Sequence, residues 1–180
     1  MRGLLSGPNV ALTAVKDSDL EVMESWFNDV RFLRFYDMVP ALPKPLHEVK
    51  ELLDSFTNTT DRTIFAIRTQ ESDRIIGITG FDDIIWSNGV ATLFIGIGDS
   101  DYTARGLGTE TLKLLLDFGF NELNFYRIQL NVIAYNEAAI NLYEKQGFIR
   151  EGIFRNFILR DGERFDLYLY GLLRHEWVKN

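Results

Sequence analysis

The chain has 180 residues, of which 46% are hydrophobic and 25% charged, with a formal net charge of −7 and no cysteine. These values predict one soluble globular domain spanning 1–180, and they exclude disulfides, thiolate metal sites and a cysteine nucleophile. The negative charge disfavours nucleic acid as a partner, and no apolar run reaches the ~18 residues that a membrane span needs.

The sequence also bears on metals, location and substrate charge. His47 and His175 lie far apart and show no metal-ligand spacing, so we expect no metal. The N-terminus lacks the pattern of a signal peptide, which favours a cytoplasmic location. A negative surface favours a cationic substrate such as an amine, although it also serves solubility alone.

The first half of the chain alternates strands and helices. The predicted elements are a strand at 10–15, a helix at about 17–28, an aromatic, proline-punctuated stretch at 32–45 and a helix at 47–56. Three strands follow, at 63–68, 75–81 and 90–98, with turns at Asp73-Arg74 and Ser87-Asn88-Gly89.

The second half of the chain also alternates predicted helices and strands. Its predicted elements are a helix after Gly108 with apolar residues at helical spacing, a strand at 127–134, a helix from Asn136 to Gln146, and a hairpin of 148–159 and 164–173 around Asp161-Gly162. The whole pattern predicts a mixed α/β (α+β) fold with strands grouped in the middle and at the end.

A glycine-containing loop at Thr103–Thr109 joins a predicted strand to a predicted helix. Gly106 and Gly108 permit close backbone approach, and the first N–H groups of a helix are unpaired at its positive dipole end. Such a loop binds pyrophosphate without a metal, and Arg105 adds a positive charge. A tight turn with glycines for geometry alone is the alternative.

The strand before this loop contains Gly96 and Gly98 in an otherwise apolar run. A glycine within a strand indicates a bulge or the close approach of other atoms. A bulge here would separate this strand from the next and open a slot for an extended ligand.

Asn136 and Tyr143 are seven residues apart, which places them on one face of a helix with Ala139 between them. Tyr143 can donate a hydrogen bond or a proton to a leaving group. The alternative is that Asn136 only caps the helix and Tyr143 only packs.

Taken together, the two segments resemble the acyl-coenzyme A site of the GNAT superfamily of N-acetyltransferases. The matching positions are the loop Tyr102–Glu110 and the residues Asn136, Ala139, Leu142, Tyr143, Gly147 and Phe148. The stretch from Glu151-Gly152 through Asp166 to Trp177 resembles the C-terminal hairpin of the branch that holds ribosomal-protein N-terminal acetyltransferases and spermidine acetyltransferases.

The resemblance implies a fold, a co-substrate and roles. It implies a mostly antiparallel central sheet, splayed at a bulged strand, with helices on both faces. Acetyl-CoA would be the co-substrate, Tyr143 the general acid toward the departing thiolate, and a primary amine the attacking group, with no acyl-enzyme. The implied coenzyme-binding residues are Ile95, Gly96 and Ile97 for pantetheine, Thr103, Ala104, Arg105, Gly106, Leu107, Gly108 and Thr109 for pyrophosphate, and Asn136 for the coenzyme arm.

One departure leaves the general base open. Close relatives often carry glutamate where this chain has Thr92, and Asp82, Asp83 and Glu110 are weak substitutes. The acceptor also stays open among a peptide N-terminus, an amino sugar and a polyamine. A slight preference falls on an amine of low pKa, because it needs less help to lose its proton. A homodimer is possible, and a catalytically silent acyl-CoA sensor is the alternative function. A nucleotide-binding domain is disfavoured, since no Walker lysine accompanies the loop.

Overall fold

The computed structural model describes residues 3–177. Its strands are β1 (Val10–Thr13), β2 (Thr63–Thr69), β3 (Ile75–Ile85), β4 (Val90–Ile97), β5 (Arg127–Ile133), β6 (Ile149–Arg160) and β7 (Glu163–Leu173). Its helices are α1 (Leu20–Phe27), α2 (Val30–Tyr36), α3 (Leu46–Thr57), α4 (Leu107–Asn121) and α5 (Glu137–Lys145). No helix in the described part of the chain is long and apolar enough to cross a membrane.

The seven strands form one sheet in the order β1-β2-β3-β4-β5-β7-β6. Every neighbouring pair is antiparallel except β4 and β5, which run parallel. Side chains alternate between the two faces of a strand, so Ala66 and Ile67 enter different cores. Helices α1, α2 and α3 cover one face and α4 and α5 cover the other, as predicted.

The sheet opens between β4 and β5. The two strands pair only through Val90, Ala91 and Thr92, opposite Arg127, Ile128 and Gln129. Beyond Thr92 the strand β4 continues to Ile97 while β5 diverges from it. The predicted splay is therefore confirmed, and it divides the sheet into a β1–β4 half and a β5–β7 half.

The irregular residues lie on β3 and not at the glycines of β4. Register is continuous from Thr92 to Ile97 and shifts on the β3 side between Asp82 and Ile85, where Asp83 has a φ of 49°. The glycines instead make room for aromatic rings. A Cβ on Gly96 would stand 2.5 Å from the ring of Tyr36, and one on Gly98 would stand 2.1 Å from the ring of Trp26.

Helix α2 is a second difference, because the sequence predicted only an aromatic stretch there. Asp29 caps it by accepting a hydrogen bond from the Arg31 amide at 2.8 Å. With seven residues it is too short to be stable alone, so its packing decides its conformation. The rings of Phe32 and Tyr36 both meet Phe27 edge-on at about 6 Å.

Candidate active site

A cavity of about 500 Å³ occupies the opening between the two halves of the sheet. Seven of the predicted site residues line it: Ile95, Ile97, Thr103, Ala104, Gly108, Asn136 and Tyr143. Five others, Gly96, Arg105, Gly106, Leu107 and Thr109, lie outside the lining. Residues from the end of α2, from β3 and from β5 complete the wall, so the cavity joins elements that are distant in sequence.

Three of the residues outside the lining have side-chain surroundings that explain their positions. Gly96 faces the opposite side of β4, toward Tyr36 and Phe32, because neighbouring strand residues alternate. Leu107 packs against the core, and the Arg105 guanidinium lies 5.1 Å from the centre of the Tyr102 ring. These residues can contribute backbone groups or charge near the cavity without lining it.

The loop before α4 contains two residues in the left-handed backbone region. Ala104 and Gly106 both have positive φ, at 58° and 78°, and α4 begins directly after Gly106. The first helical amides, those of Leu107, Gly108 and Thr109, have no acceptor within residues 3–177. They are therefore available to a bound anion at the positive end of a fifteen-residue helix.

Glu110, in the first turn of α4, is occupied elsewhere. Its carboxylate accepts hydrogen bonds from the Asn9 amide at 2.8 Å, the Asn9 side chain at 2.8 Å and the Val10 amide at 2.9 Å. This residue fastens the start of β1 to α4. Its position away from the cavity lining removes it as a general base.

Asn136 lines the cavity and also caps α5, so the capping prediction is confirmed. Its Oδ1 accepts from the Ala139 amide at 3.2 Å, and its Nδ2 donates to the Phe35 carbonyl at 3.3 Å. The amide group therefore joins the start of α5 to the end of α2. One amide hydrogen and one lone pair stay open toward a ligand.

Tyr143 projects from α5 into the cavity and is only 6% exposed. Its ring meets Phe148 edge-on at 5.8 Å, and its hydroxyl has no hydrogen-bond partner in the described part of the chain. Burial raises the pKa of Tyr143 well above its ordinary value. The hydroxyl therefore keeps its proton at neutral pH and is free to donate it in a hydrogen bond.

Three carboxylates line the cavity, from Asp37, Asp82 and Asp83, and no lysine or arginine does within the described lining. Asp82 is the cross-strand partner of Thr92, so the two side chains share one face of the sheet. Burial raises the pKa of Asp82, and an ion pair with Arg62 at 2.7 Å partly offsets that rise. This half-buried carboxylate stands beside the position where the resemblance leads us to expect glutamate.

Sequence reasoning missed Asp37 as a site residue. It follows α2, and its role depends on a helix that the sequence pattern did not indicate. No group of three or more histidine or carboxylate side chains within residues 3–177 is arranged to hold a metal ion.

The sequence matches a known protein family over most of its length. Residues 9–149 match the model of the acetyltransferase (GNAT) domain. The probable N-acetyltransferase YjcK of Bacillus subtilis is 35% identical over 128 residues, which cover 71% of this chain and 68% of YjcK. The spermidine N(1)-acetyltransferase of Escherichia coli is 25% identical over 175 residues, covering 96% of this chain and 90% of that enzyme.

The fold agrees with solved structures. The spermidine N-acetyltransferase of Vibrio cholerae, solved with CoA and spermine, superposes with a TM-score of 0.86 at 21% identity. The alignment covers 94% of this chain and 98% of that one. The chain belongs to the GNAT family of N-acetyltransferases, enzymes that transfer an acetyl group from acetyl-CoA to an amine.

Proposed function

We propose that this N-acetyltransferase acts on a cationic, polyamine-type amine. The observation that carries the proposal is the cavity wall, on which Asp37, Asp82 and Asp83 stand without a lysine or arginine among the described lining residues. Carboxylates around one opening attract a polycation and repel an anionic acceptor. Relatives named as spermidine N(1)-acetyltransferases support the same acceptor class.

In this proposal, acetyl-CoA lies in the slot between β4 and β5 and against the loop before α4. The free edge of β4 at Ile95 and Ile97 offers backbone groups to the pantetheine amides. The unpaired amides at the start of α4 suit the pyrophosphate. Asn136 lines the same cavity, and one of its amide hydrogens and one lone pair have no partner among the described residues, which suits the coenzyme arm.

In the reaction that we propose, the neutral amine nitrogen attacks the thioester carbonyl, and the carbon–sulfur bond breaks to release CoA. Tyr143 hydrogen-bonds the sulfur as negative charge develops on it. Full proton transfer from an ordinary phenol to a thiolate already costs roughly 2 kcal/mol, because their reference pKa values are ~10 and ~8.5. The raised pKa of Tyr143 increases that cost, so the tyrosine stabilises the thiolate chiefly as a donor.

A polyamine nitrogen also has to lose a proton. With a pKa of ~10.4, an amine is neutral in about one molecule per thousand near pH 7.4, a cost of roughly 4 kcal/mol. Asp82 is the carboxylate that we assign to this proton, directly or through one water. Its raised pKa makes it a better acceptor than an ordinary aspartate. This assignment removes the reason for preferring an amine of low pKa.

Two measurements test the proposal. Calorimetric titration with acetyl-CoA tests the coenzyme site, and a thiol-release assay across spermidine, spermine, an N-terminal peptide and an aminoglycoside tests the acceptor. We expect micromolar binding of acetyl-CoA and release with the polyamines. Release with the peptide alone would contradict the polyamine assignment. Binding without release from any amine would favour the silent sensor.

A homodimer is our proposal for the assembly. The edge strand β6 exposes apolar side chains at Ile149, Ile153, Phe154, Phe157 and Leu159, each about half exposed. An open, apolar edge strand favours pairing with another strand. A Vibrio cholerae relative solved as a dodecamer supports self-association. Light scattering coupled to size exclusion tests it, and a monomer at micromolar concentration would contradict it.

A further inference from the structure

The C-terminal end of α2 forms one wall of the cavity through Phe35, Tyr36 and the following Asp37. A helix leaves its last four carbonyl groups without partners inside the helix. The Leu33 carbonyl accepts from the Asp37 amide at 3.1 Å. The next two carbonyls, of Arg34 and Phe35, are held by side chains from the other half of the sheet.

Those two side chains are neighbours in the loop between β5 and α5. The Tyr135 hydroxyl donates to the Arg34 carbonyl, and Asn136 Nδ2 donates to the Phe35 carbonyl at 3.3 Å. Helix α2 itself packs on the β1–β4 half, through Leu33 and Phe32. The cap thus crosses the slot, and it ties the proposed acceptor wall to the loop that carries Asn136.

The ring of Tyr135 is fixed where this bond needs it. It stands edge-on to Phe35 at 5.3 Å and edge-on to Phe165 of β7 at 5.1 Å. Its side chain is half-buried, so losing the hydroxyl leaves the Arg34 carbonyl short of a partner with limited access to water. Phenylalanine at this position would retain both ring contacts and remove the hydrogen bond alone.

The residues that follow α2 are bonded by the turn of the β6–β7 hairpin. Arg160 Nη2 donates to the carbonyls of Asp37 and Val39 at 3.2 and 3.1 Å. The Arg34 side chain pairs with Asp161 of this turn, but Asp161 is largely exposed and the pair contributes little. Of these contacts, the Tyr135 bond caps α2 itself, and phenylalanine removes it without removing the ring.

We infer that Tyr135 is a positioning residue for the acceptor. By capping α2 across the slot, it sets where Phe35, Tyr36 and Asp37 stand relative to the attacked thioester. The inference rests on the proposed acetyl transfer, but it concerns a residue outside the cavity lining. Its effect should fall on acceptor binding, because Tyr135 bonds α2, whereas the residues assigned to acetyl-CoA lie on β4 and at the start of α4, with Asn136 alone in the loop of Tyr135.

The test compares Tyr135→Phe with the wild-type chain, using spermidine and acetyl-CoA. We expect the KM for spermidine to rise about three- to tenfold, as loss of one hydrogen bond predicts. The kcat and the calorimetric Kd for acetyl-CoA should stay close to wild type, and the melting temperature should fall by only about 2–4 °C, as loss of one hydrogen bond predicts. Tyr126→Phe is the matched control, because Tyr126 is 56% exposed and lies outside the cavity lining. It should leave every parameter unchanged.

Two results would overturn the inference. One is an unchanged KM for spermidine in Tyr135→Phe. The other is a parallel loss of acetyl-CoA affinity and melting temperature, which would mean that Tyr135 only supports the fold. Failure of the proposed function is seen separately, because wild-type protein would then release no thiol with spermidine before any variant is compared.

Discussion

Asp82 and Thr92 face each other across the ladder between β3 and β4, and both line the cavity. The side chains of direct cross-strand partners lie close together on one face. In the mechanism that we propose, a carboxylate on β3 therefore serves the reacting group to which the resemblance assigns a glutamate on β4. The proposed proton acceptor lies on the neighbouring strand and still lines the cavity.

Asp82→Asn should lower kcat with spermidine by about 10²-fold, since general base catalysis contributes about that much or more. The wild-type rate should fall on the acid side as Asp82 becomes protonated, at a pH above the usual aspartate range because burial raises its pKa. The asparagine variant should lose this acid limb. Steady-state kinetics with spermidine measure the fall in kcat, and a pH profile of kcat/KM measures the acid limb.

We expect protonation of Asp82 to leave the fold intact, so that the pH profile reports on catalysis. A carboxyl whose pKa is raised in the folded state binds protons more tightly there than in the unfolded chain. Its contribution to stability therefore rises as pH falls. Asp83→Asn is the control that should keep the acid limb, and Thr92→Glu should restore part of the rate to Asp82→Asn. An acid limb retained in Asp82→Asn would exclude the assignment.

Tyr143→Phe should reduce kcat by about 10²-fold while leaving the Kd for acetyl-CoA unchanged. The hydroxyl has no partner within residues 3–177 and the ring packs against Phe148, so the change should preserve stability. Single-turnover thiol release measures the chemical step. A rate equal to wild type, with coenzyme still bound, would show that Tyr143 only packs.

Gly108→Ala should weaken acetyl-CoA binding by about tenfold without harming the fold. The added Cβ would find its nearest protein atom, on Leu142, at 3.8 Å, so the protein has room for it. Alanine also favours a helix over glycine by about 1 kcal/mol. The methyl group would instead occupy the space assigned to pyrophosphate.

For Gly108→Ala, calorimetry measures the affinity for acetyl-CoA and thermal melting measures the stability of the fold. Gly162→Ala is the control, since Gly162 has a φ of 79° in the hairpin turn and lies outside the cavity lining. That variant should lose stability and keep its affinity. Unchanged affinity in Gly108→Ala would place the pyrophosphate elsewhere.

Asp19→Ala should destabilise the fold by about 3–5 kcal/mol, because it leaves the buried Arg68 charge without its partner. Asp19 and Arg68 are paired at 2.5 Å, and both side chains are 5% exposed. Urea denaturation measures the change. Asp73→Asn, at a carboxylate that is 72% exposed and 3.9 Å from the same arginine, should cost less than about 1 kcal/mol. An equal loss in the free energy of unfolding for the two variants would show that the buried ion pair contributes no more to stability than the exposed one.

Much of the fold was predictable because its signals are local. Alternating apolar residues and turn residues marked the strands to within a few positions, and the same holds for α3, α4 and α5. Helix α2 was not predictable in this way. Three of its seven residues are aromatic, a class of modest helix propensity, and its conformation depends on packing against Phe27.

The pairing register of β3 with β4 beside the cavity could not be predicted from the sequence, for a different reason. Ile85 pairs with Val90 at the turn, and that register alone would place Asp83 opposite Thr92. One extra residue on β3 moves Asp82 into that place instead. A bulge depends on contacts across the sheet, so the residue pattern named both aspartates and did not choose between them.

The three-residue pairing of β4 with β5 has a consequence for how the protein behaves in solution. Five residues of β4, Leu93–Ile97, run on without a strand partner on the β5 side among the described residues, a length of roughly 16 Å. An extended pantetheine arm seated there would complete the sheet as an eighth strand does. Bound coenzyme should then add about 2.7 kcal/mol to the free energy of unfolding at a hundred times the Kd, and the melting temperature should rise with coenzyme concentration. Amide hydrogens along this edge should exchange fast in the free protein and slowly in the complex.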